Sequence, residues 1–145
     1  MNLLNNIKIV KALDYVDGTA DRAGATLDMA GFDGVLMIVK FSAITTGAVT
    51  SIKAQQDTDS GMGTAADLLG TGITVADNDD NQIFVIDLYR PLERYVRVYV
   101  DKDTSNTVAE EAIYIQYQAH ERALSGNVTD LVTAEAHLSP AEGTA

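Results

Sequence analysis

Apolar positions along the chain fall into short runs rich in valine, isoleucine and tyrosine, and clusters of glycine, aspartate, asparagine, serine and threonine separate these runs. This punctuation is typical of β-strands joined by turns. The segments that it predicts as strands include Ile7–Val16, Gly34–Ile44, Ala48–Gln56 and Asn81–Tyr89. Gly34–Ile44 is apolar on both faces, which predicts a central strand covered on both sides. The apolar run at Asn81–Tyr89 predicts a second buried strand.

Two further segments alternate with a period of two residues and predict a β-hairpin. Arg94–Lys102 places valines on one face, and Val108–His120 alternates through the letters IYIQY. The turn-forming residues DTSNT lie between the two segments. A helix over Ala109–Arg122 is the alternative, since alanine, glutamate and glutamine favour helices. The alternation favours a strand.

The remaining segments set the domain boundaries. A long polar excursion covers about residues 57–82 and holds at most one short strand, around Ile73–Val75. After Leu124 the sequence has too few large apolar residues for a core element. The prediction is an all-β domain over residues 1–123, an antiparallel β-sandwich or jelly roll with extended N- and C-terminal arms. Residues 124–145 are predicted to form the C-terminal arm.

Composition and charge narrow the classes of function. The chain has 145 residues, enough for a single core, and no cysteine, which excludes disulfides, thiolate metal sites and thiol catalysis. Its 21 acidic residues outnumber 10 basic ones, and the net charge of -11 opposes binding to nucleic acid. The N-terminus lacks the features of a signal peptide, and no run approaches the ~18 apolar residues of a membrane helix. We expect a soluble protein made in the cytoplasm, without a membrane partner.

Two acidic loops resemble the start of a calcium-binding loop. These are DTDSG at Asp57–Gly61 and DNDDN at Asp77–Asn81. An EF-hand needs glycine at its sixth position and glutamate at its twelfth. A loop starting at Asp77 has Gln82 and Leu88 there, and one starting at the first aspartate has Leu68 at its twelfth position. Solvent-facing acidic turns are the main prediction, and a looser calcium- or carbohydrate-binding site that joins both loops stays the alternative.

Signatures of enzymes are weak. GMGTAA at Gly61–Ala66 matches a dinucleotide-binding fingerprint, but it follows QQDTDS and not a buried strand, which predicts a flexible loop. His120 and His137 are the only histidines, and neither lies in an H-E-x-x-H pattern, so solvated or packing roles are expected. No G-x-S-x-G motif occurs. We therefore predict a protein that is not an enzyme, with no cofactor and no metal.

Cations and aromatic residues concentrate in DLYRPLERYVRVYV, Asp87–Val100, which holds three of the five arginines and three of the six tyrosines. One interpretation is an outer sheet face on which arginines pair with the many acids. The other is a contact surface, because tyrosine and arginine are enriched at interface hot spots. If the hairpin pairs, Tyr114 and Gln116 would lie beside this face. The interface candidates are Arg90, Arg94, Tyr95, Arg97, Tyr99 and Tyr114.

Three segments, FDGVLMIVKFSAITTGAVTSIKAQQ, DLYRPLERYVRVYV and the closing LSPAEGTA, resemble small virion proteins of tailed bacteriophages. The family is that of capsid cement, decoration or head-stabilising proteins. The resemblance extends from about Gly31 to the C-terminus, and its most specific part is the Tyr-Arg-Pro turn followed by Arg-Tyr-Val-Arg.

The resemblance implies a β-sandwich or jelly-roll body on the outer surface of a capsid. It implies that the protein bridges major capsid subunits, pairs with copies of itself as a dimer or trimer, and extends its termini to neighbouring molecules. It leaves a position at the head–tail junction or in the tail as the alternative.

Overall fold

The computed structural model describes residues 3–103, 105–120 and 132–134. A short 3-10 turn at Leu3–Asn5 precedes ten β-strands. The strands are β1 Ile7–Gly18, β2 Arg22–Ala23, β3 Leu27–Asp28, β4 Phe32–Ile44, β5 Thr50–Asp57, β6 Ala66–Asp67, β7 Ile73–Val75, β8 Ile83–Tyr89, β9 Tyr95–Lys102 and β10 Val108–Ala119. None of the described segments forms a helix long and apolar enough to cross a membrane.

The strands form two antiparallel sheets that pack against each other, so the predicted all-β sandwich is confirmed. Sheet A has four strands in the order β1-β10-β4-β8. Sheet B has six strands, in the order β2-β9-β5-β6, with β3 also paired to β9 and β7 to β5. The predicted C-terminal arm, residues 124–145, lies outside the described residues apart from residues 132–134.

The core lies between the sheets and follows the two-residue period of each strand. On β4 the side chains of Val35, Met37, Val39 and Phe41 are fully buried, and on β9 those of Val96, Val98 and Val100 are fully buried. The rings of Phe41 and Phe84 meet edge to face with centroids 5.4 Å apart, an arrangement that aromatic pairs favour. Alternate residues of both sheets therefore form one apolar layer.

The predicted hairpin of Arg94–Lys102 with Val108–His120 is wrong. Strand β9 belongs to sheet B and pairs with β5, whereas β10 lies in sheet A between β1 and β4. Strand lengths fit this pairing, since β9 and β5 have 8 residues each, and β10 has 12 beside strands of 12 and 13. The DTSNT segment therefore leads from one sheet to the other, and β9 and β10 contact each other through the core.

Two predictions of burial are also wrong in part. Strand β8 was expected to be buried, but it is an edge strand of sheet A, and Ile83, Val85 and Tyr89 are exposed. Strand β4 is central as expected, and one of its faces packs in the core. Leu36 and Ile38 on its other face are only half-buried, and within the described residues no second layer covers them. A local run of apolar residues does not show whether both faces of a strand are covered by its own chain.

The polar excursion folds back on sheet B. The short strand expected at Ile73–Val75 is confirmed as β7, and β6 is a second one; both pair with β5. Within the excursion, Met62 and Val75 are buried. The excursion is thus partly anchored to the body of the sandwich.

Candidate interaction surfaces

The outer face of sheet B, which we call the polar face, carries most of the candidates predicted from the sequence. Tyr95, Arg97 and Tyr99 alternate with the buried valines of β9 and point away from the core, as expected. Each is half-buried. Their neighbours on β5 are Asp57, Gln55 and Lys53, respectively.

Hydrogen bonds and ion pairs connect the side chains of the polar face. Arg97 Nε donates to Gln55 Oε1 at 2.8 Å, and Gln55 Nε2 donates to Asp67 Oδ1 at 2.8 Å. Lys53 Nζ donates to the other oxygen of Asp67 at 2.8 Å, and this pair holds the pKa of the Asp67 carboxyl below its ordinary value. The Lys53 ammonium and the Arg97 guanidinium both lie near the Tyr99 ring, 5.3 Å and 5.9 Å from its centroid. The face is therefore an ordered polar network.

Two more candidates, Arg94 and Arg90, lie at the turn before β9. Arg94 makes a bidentate pair with Asp28, through Nε at 2.9 Å and Nη2 at 2.7 Å, and its guanidinium lowers the pKa of Asp28. Arg90 has a positive φ of 52°, and its guanidinium lies 5.3 Å from the centroid of the Tyr89 ring.

An open groove of about 480 Å³ separates this turn from His120, whose Nε2 lies 3.0 Å from Asp33 Oδ1. His137 lies outside the described residues.

Tyr114 was expected on the outer face, and that placement is wrong. Because β10 belongs to sheet A, Tyr114 points into the core and is fully buried, a position that raises the pKa of its hydroxyl. Its hydroxyl reaches sheet B and accepts a hydrogen bond from the Val98 N–H at 2.9 Å. Gly24 makes room for this contact, since a Cβ there would overlap the hydroxyl. Tyr114 thus ties the two sheets together, and Gln116 is likewise fully buried.

The aspartates of the two acidic loops accept hydrogen bonds from backbone amides. Asp57 accepts from the N–H groups of Asp59 and Thr64 at 3.0 and 2.8 Å, and these bonds lower its pKa. Asp77 accepts from Gly47 N–H and Asp80 from Ile44 N–H, both at 2.7 Å. Over the described ranges, no three His, Asp or Glu side chains gather in a way that would hold a metal ion. The carboxylates serve to hold the loops in shape.

The outer face of sheet A, which we call the apolar face, was not predicted. The pairing register places three side-chain rows across all four strands and a fourth row across β10, β4 and β8, and apolar residues dominate these rows. Ile83, Tyr89, Val85 and Ile113 are exposed by 63%, 52%, 44% and 40%. The apolar side chains of this face are Ile7, Ile9, Leu36, Ile38, Ile83, Val85, Tyr89, Ile113, Ile115 and Tyr117. The sequence signal was the run on β4 that is apolar on both faces.

One aromatic ring of the apolar face lies across two neighbouring strands. Gly34 pairs with Tyr117, whose ring lies over the glycine; a Cβ at position 34 would overlap the ring. The Tyr117 hydroxyl donates to Asp87 Oδ1 at 2.6 Å, and partial burial together with this carboxylate raises its pKa to about 12. The ring is therefore held across the two central strands of the sheet, β10 and β4.

The charges of the apolar face nearly balance. Its rows contain two lysines, Lys11 and Lys40, and two acids, Asp87 and Glu111. Lys40 Nζ lies 3.2 Å from Glu111 Oε1, and both side chains are substantially exposed. Lys11 also pairs with Asp14, whose exposed carboxylate lines the same hollow as Ile113, so the local charge is 2 minus 3, or -1, on a chain whose net charge is -11.

The chain matches no protein-family model and no curated protein. Among solved structures, the PBSX exported protein XepA is similar, with a TM-score of 0.55, 13% identity, and coverage of 96% of this chain and 45% of XepA. A protein of Bacillus endospore appendages, described as disulfide-linked pili, has a TM-score of 0.46 and 15% identity. The match covers 78% of this chain and 90% of the appendage protein. Latent PorU from Porphyromonas gingivalis has a TM-score of 0.41 and 10% identity. The match covers 79% of this chain and 13% of PorU. The chain spans less than half of XepA, and at this identity the likeness shows a shared fold.

Proposed function

We propose that this protein is a non-enzymatic structural component of a phage virion, which binds the outside of the assembled capsid and bridges major capsid subunits. The observation that carries the proposal is the presence of two extended outer faces of opposite character on one sandwich. A bridging protein needs two separate contact surfaces, and this fold has one polar and one apolar face. The resemblance of three segments to cement proteins supplies the virion context, and the sandwich fold shared with XepA is compatible with it.

The polar face suits a contact with the capsid protein. Side chains that are already held by neighbours, such as Arg97 by Gln55, lose less conformational freedom on binding than free ones do. Tyrosine and arginine also contribute large contact areas and fixed hydrogen-bond geometry at interfaces. We place Tyr95, Arg97 and Tyr99, with Arg90 and Arg94 at the adjoining turn, in this contact.

The protein would stabilise the shell through the free energy of its binding. A protein that binds the assembled shell but not free subunits stabilises the shell by mass action. Packed DNA pushes outward on a capsid, and a clamp across a seam between subunits opposes that force.

Sedimentation of the protein with purified shells of its phage tests the proposal. Replacing Arg97 and Tyr99 together with alanine removes two contact side chains that are only half-buried, so we expect an intact fold and shell binding weaker by at least about tenfold. A control, Thr19→Ala with Thr46→Ala, also truncates two side chains, both exposed in loops outside the two faces. It should bind like the wild type. Equal binding of the Arg97/Tyr99 variant and the wild type would remove the polar face from the contact, and a wild type that does not bind shells would overturn the proposal.

A further inference from the structure

The apolar face is wide enough to be an interface. Four strands spaced about 4.8 Å apart, over seven residues that rise about 3.4 Å each, give a face of roughly 20 Å by 25 Å. Exposed apolar areas of several hundred Å² are uncommon on monomers and mark sites of association. At the centre of the face, Ile113 is 40% exposed and lies between Lys11 and Ile38. The described part of the chain leaves this surface uncovered.

We infer that two copies of this chain associate through their apolar faces. Two such faces together cover roughly 1,000 Å², which is at the lower limit for a specific interface. Stacked sheets pack about 10 Å apart. The face has an open hollow of about 410 Å³ beside Ile113, which side chains of the second copy enter. The inference deepens the proposed function, because a pair of copies would carry a polar face on each outer side.

Charge permits a second copy as the occupant, because little of the net charge lies on the apolar face. Two molecules with a net charge of -11 repel each other, and the repulsion is weakest where the touching surfaces are locally neutral. The apolar face has two lysines and three acids once Asp14 beside Lys11 is counted. The polar face likewise has one acid in excess, with Asp28, Asp57, Asp67 and Asp101 against Lys53, Arg97 and Arg94, the partner of Asp28. The faces differ in their exposed apolar side chains, and these make the apolar face the better meeting surface of the two.

A two-fold axis suits the arrangement of these charges. A contact between identical copies uses the same patch twice, so the patch must complement itself. An axis that runs along the strands in the plane of the contact places β1 of one copy over β8 of the other. Lys11 lies on β1, one side-chain row from the level of Asp87 on β8. Each copy then brings its lysine, which also pairs with its own Asp14, close to the aspartate of the other.

The mass of the full chain in solution tests the inference. We expect sedimentation equilibrium over a range of concentrations to show a species of twice 15.5 kDa. Ile113→Asp puts a charge at the centre of the face and should weaken pairing at least about tenfold, since a buried unpaired charge is costly. Val85→Asp makes the same change on an exposed edge-strand residue, where the fold tolerates it more easily. Thr74→Asp, exposed on the polar side of sheet B, adds an equal charge and should leave pairing unchanged.

Several outcomes would overturn the inference. They include a monomer at all concentrations, and a dimer that survives both Ile113→Asp and Val85→Asp. The chain has no cysteine, so Val85→Cys gives a single labelling site. Protection of that thiol in a monomer would mean that the chain covers its own face. A monomer that binds shells only with Ile113 intact would assign the face to the capsid protein and leave the virion role standing. A dimer that does not bind shells would contradict the proposed function and leave the pairing standing.

Discussion

At the residue scale, one hydroxyl completes the backbone pairing of sheet B. The N–H of Val98 lies beside Gly24, between the short strands β2 and β3, and donates to the hydroxyl of Tyr114 from the opposite sheet. Tyr114 was a candidate for surface contact only because β10 was assigned to the wrong sheet. Its fully buried position makes it a stability residue.

Tyr114→Phe should therefore lower the free energy of unfolding by about 1–3 kcal/mol, the cost of leaving a buried donor without a partner. Urea denaturation of the variant and the wild type measures the difference. Tyr15→Phe removes a hydroxyl from a side chain that is 58% exposed and serves as the matched control, with an expected change within about 0.5 kcal/mol. Equal stability of Tyr114→Phe and the control would contradict this role of the hydroxyl.

At the scale of strands, a buried group of charges connects β2, β9 and β10. Glu110 on β10 is fully buried, with Lys102 Nζ at 2.7 Å and Arg22 Nη1 at 3.2 Å. Lys102 Nζ also donates to the carbonyls of Gly18 and Val108, both at 3.0 Å. The group crosses the core, because β10 belongs to sheet A and the other two strands belong to sheet B.

Glu110→Gln leaves the buried lysine without its carboxylate, so we expect a loss of about 3–5 kcal/mol in the free energy of unfolding. Its neighbour Glu111 provides a close control, because it faces the opposite way and pairs with Lys40 where both side chains are exposed. Glu111→Gln should cost no more than about 1 kcal/mol. Denaturation at low protein concentration compares the two, and similar losses would show that the buried pair adds nothing specific.

Strands could be located from the sequence more readily than their partners could. The segments at 7–16 and 34–44 lie wholly in strands, and so do residues 50–56 of the segment predicted at 48–56, because apolar alternation and turn residues act locally. Pairing depends on contacts far apart along the chain, and this is why β9 and β10 were mistaken for a hairpin. Because local sequence does not reveal distant contacts, the outer faces could be predicted only in part. Alternation placed Tyr95, Arg97 and Tyr99 on an outer face, but local sequence does not reveal whether the second apolar side of β4 is covered.

At the scale of the whole molecule, the positions of the two faces predict how a pair of copies would bridge two shell subunits. In a face-to-face pair, four sheets stack with the polar faces outermost. Sheets about 10 Å apart place the outermost two roughly 30 Å from each other. Such a pair can lie between two shell subunits and contact one with each polar face. The two contacts then act together, because the second binding event is intramolecular once the first has formed.

Copy number in the particle follows from this mechanism. A clamp stabilises only the seam at which it binds, so stabilisation of a whole shell requires occupied sites all over its surface, and mass action applies at each one. We therefore expect quantitative mass spectrometry of purified virions to find this protein in hundreds of copies, comparable with the major capsid protein. The major tail or neck proteins of the same particles calibrate the counts. A handful of copies per virion would move the protein to the head–tail junction or the tail, where stabilisation of the whole shell is not possible.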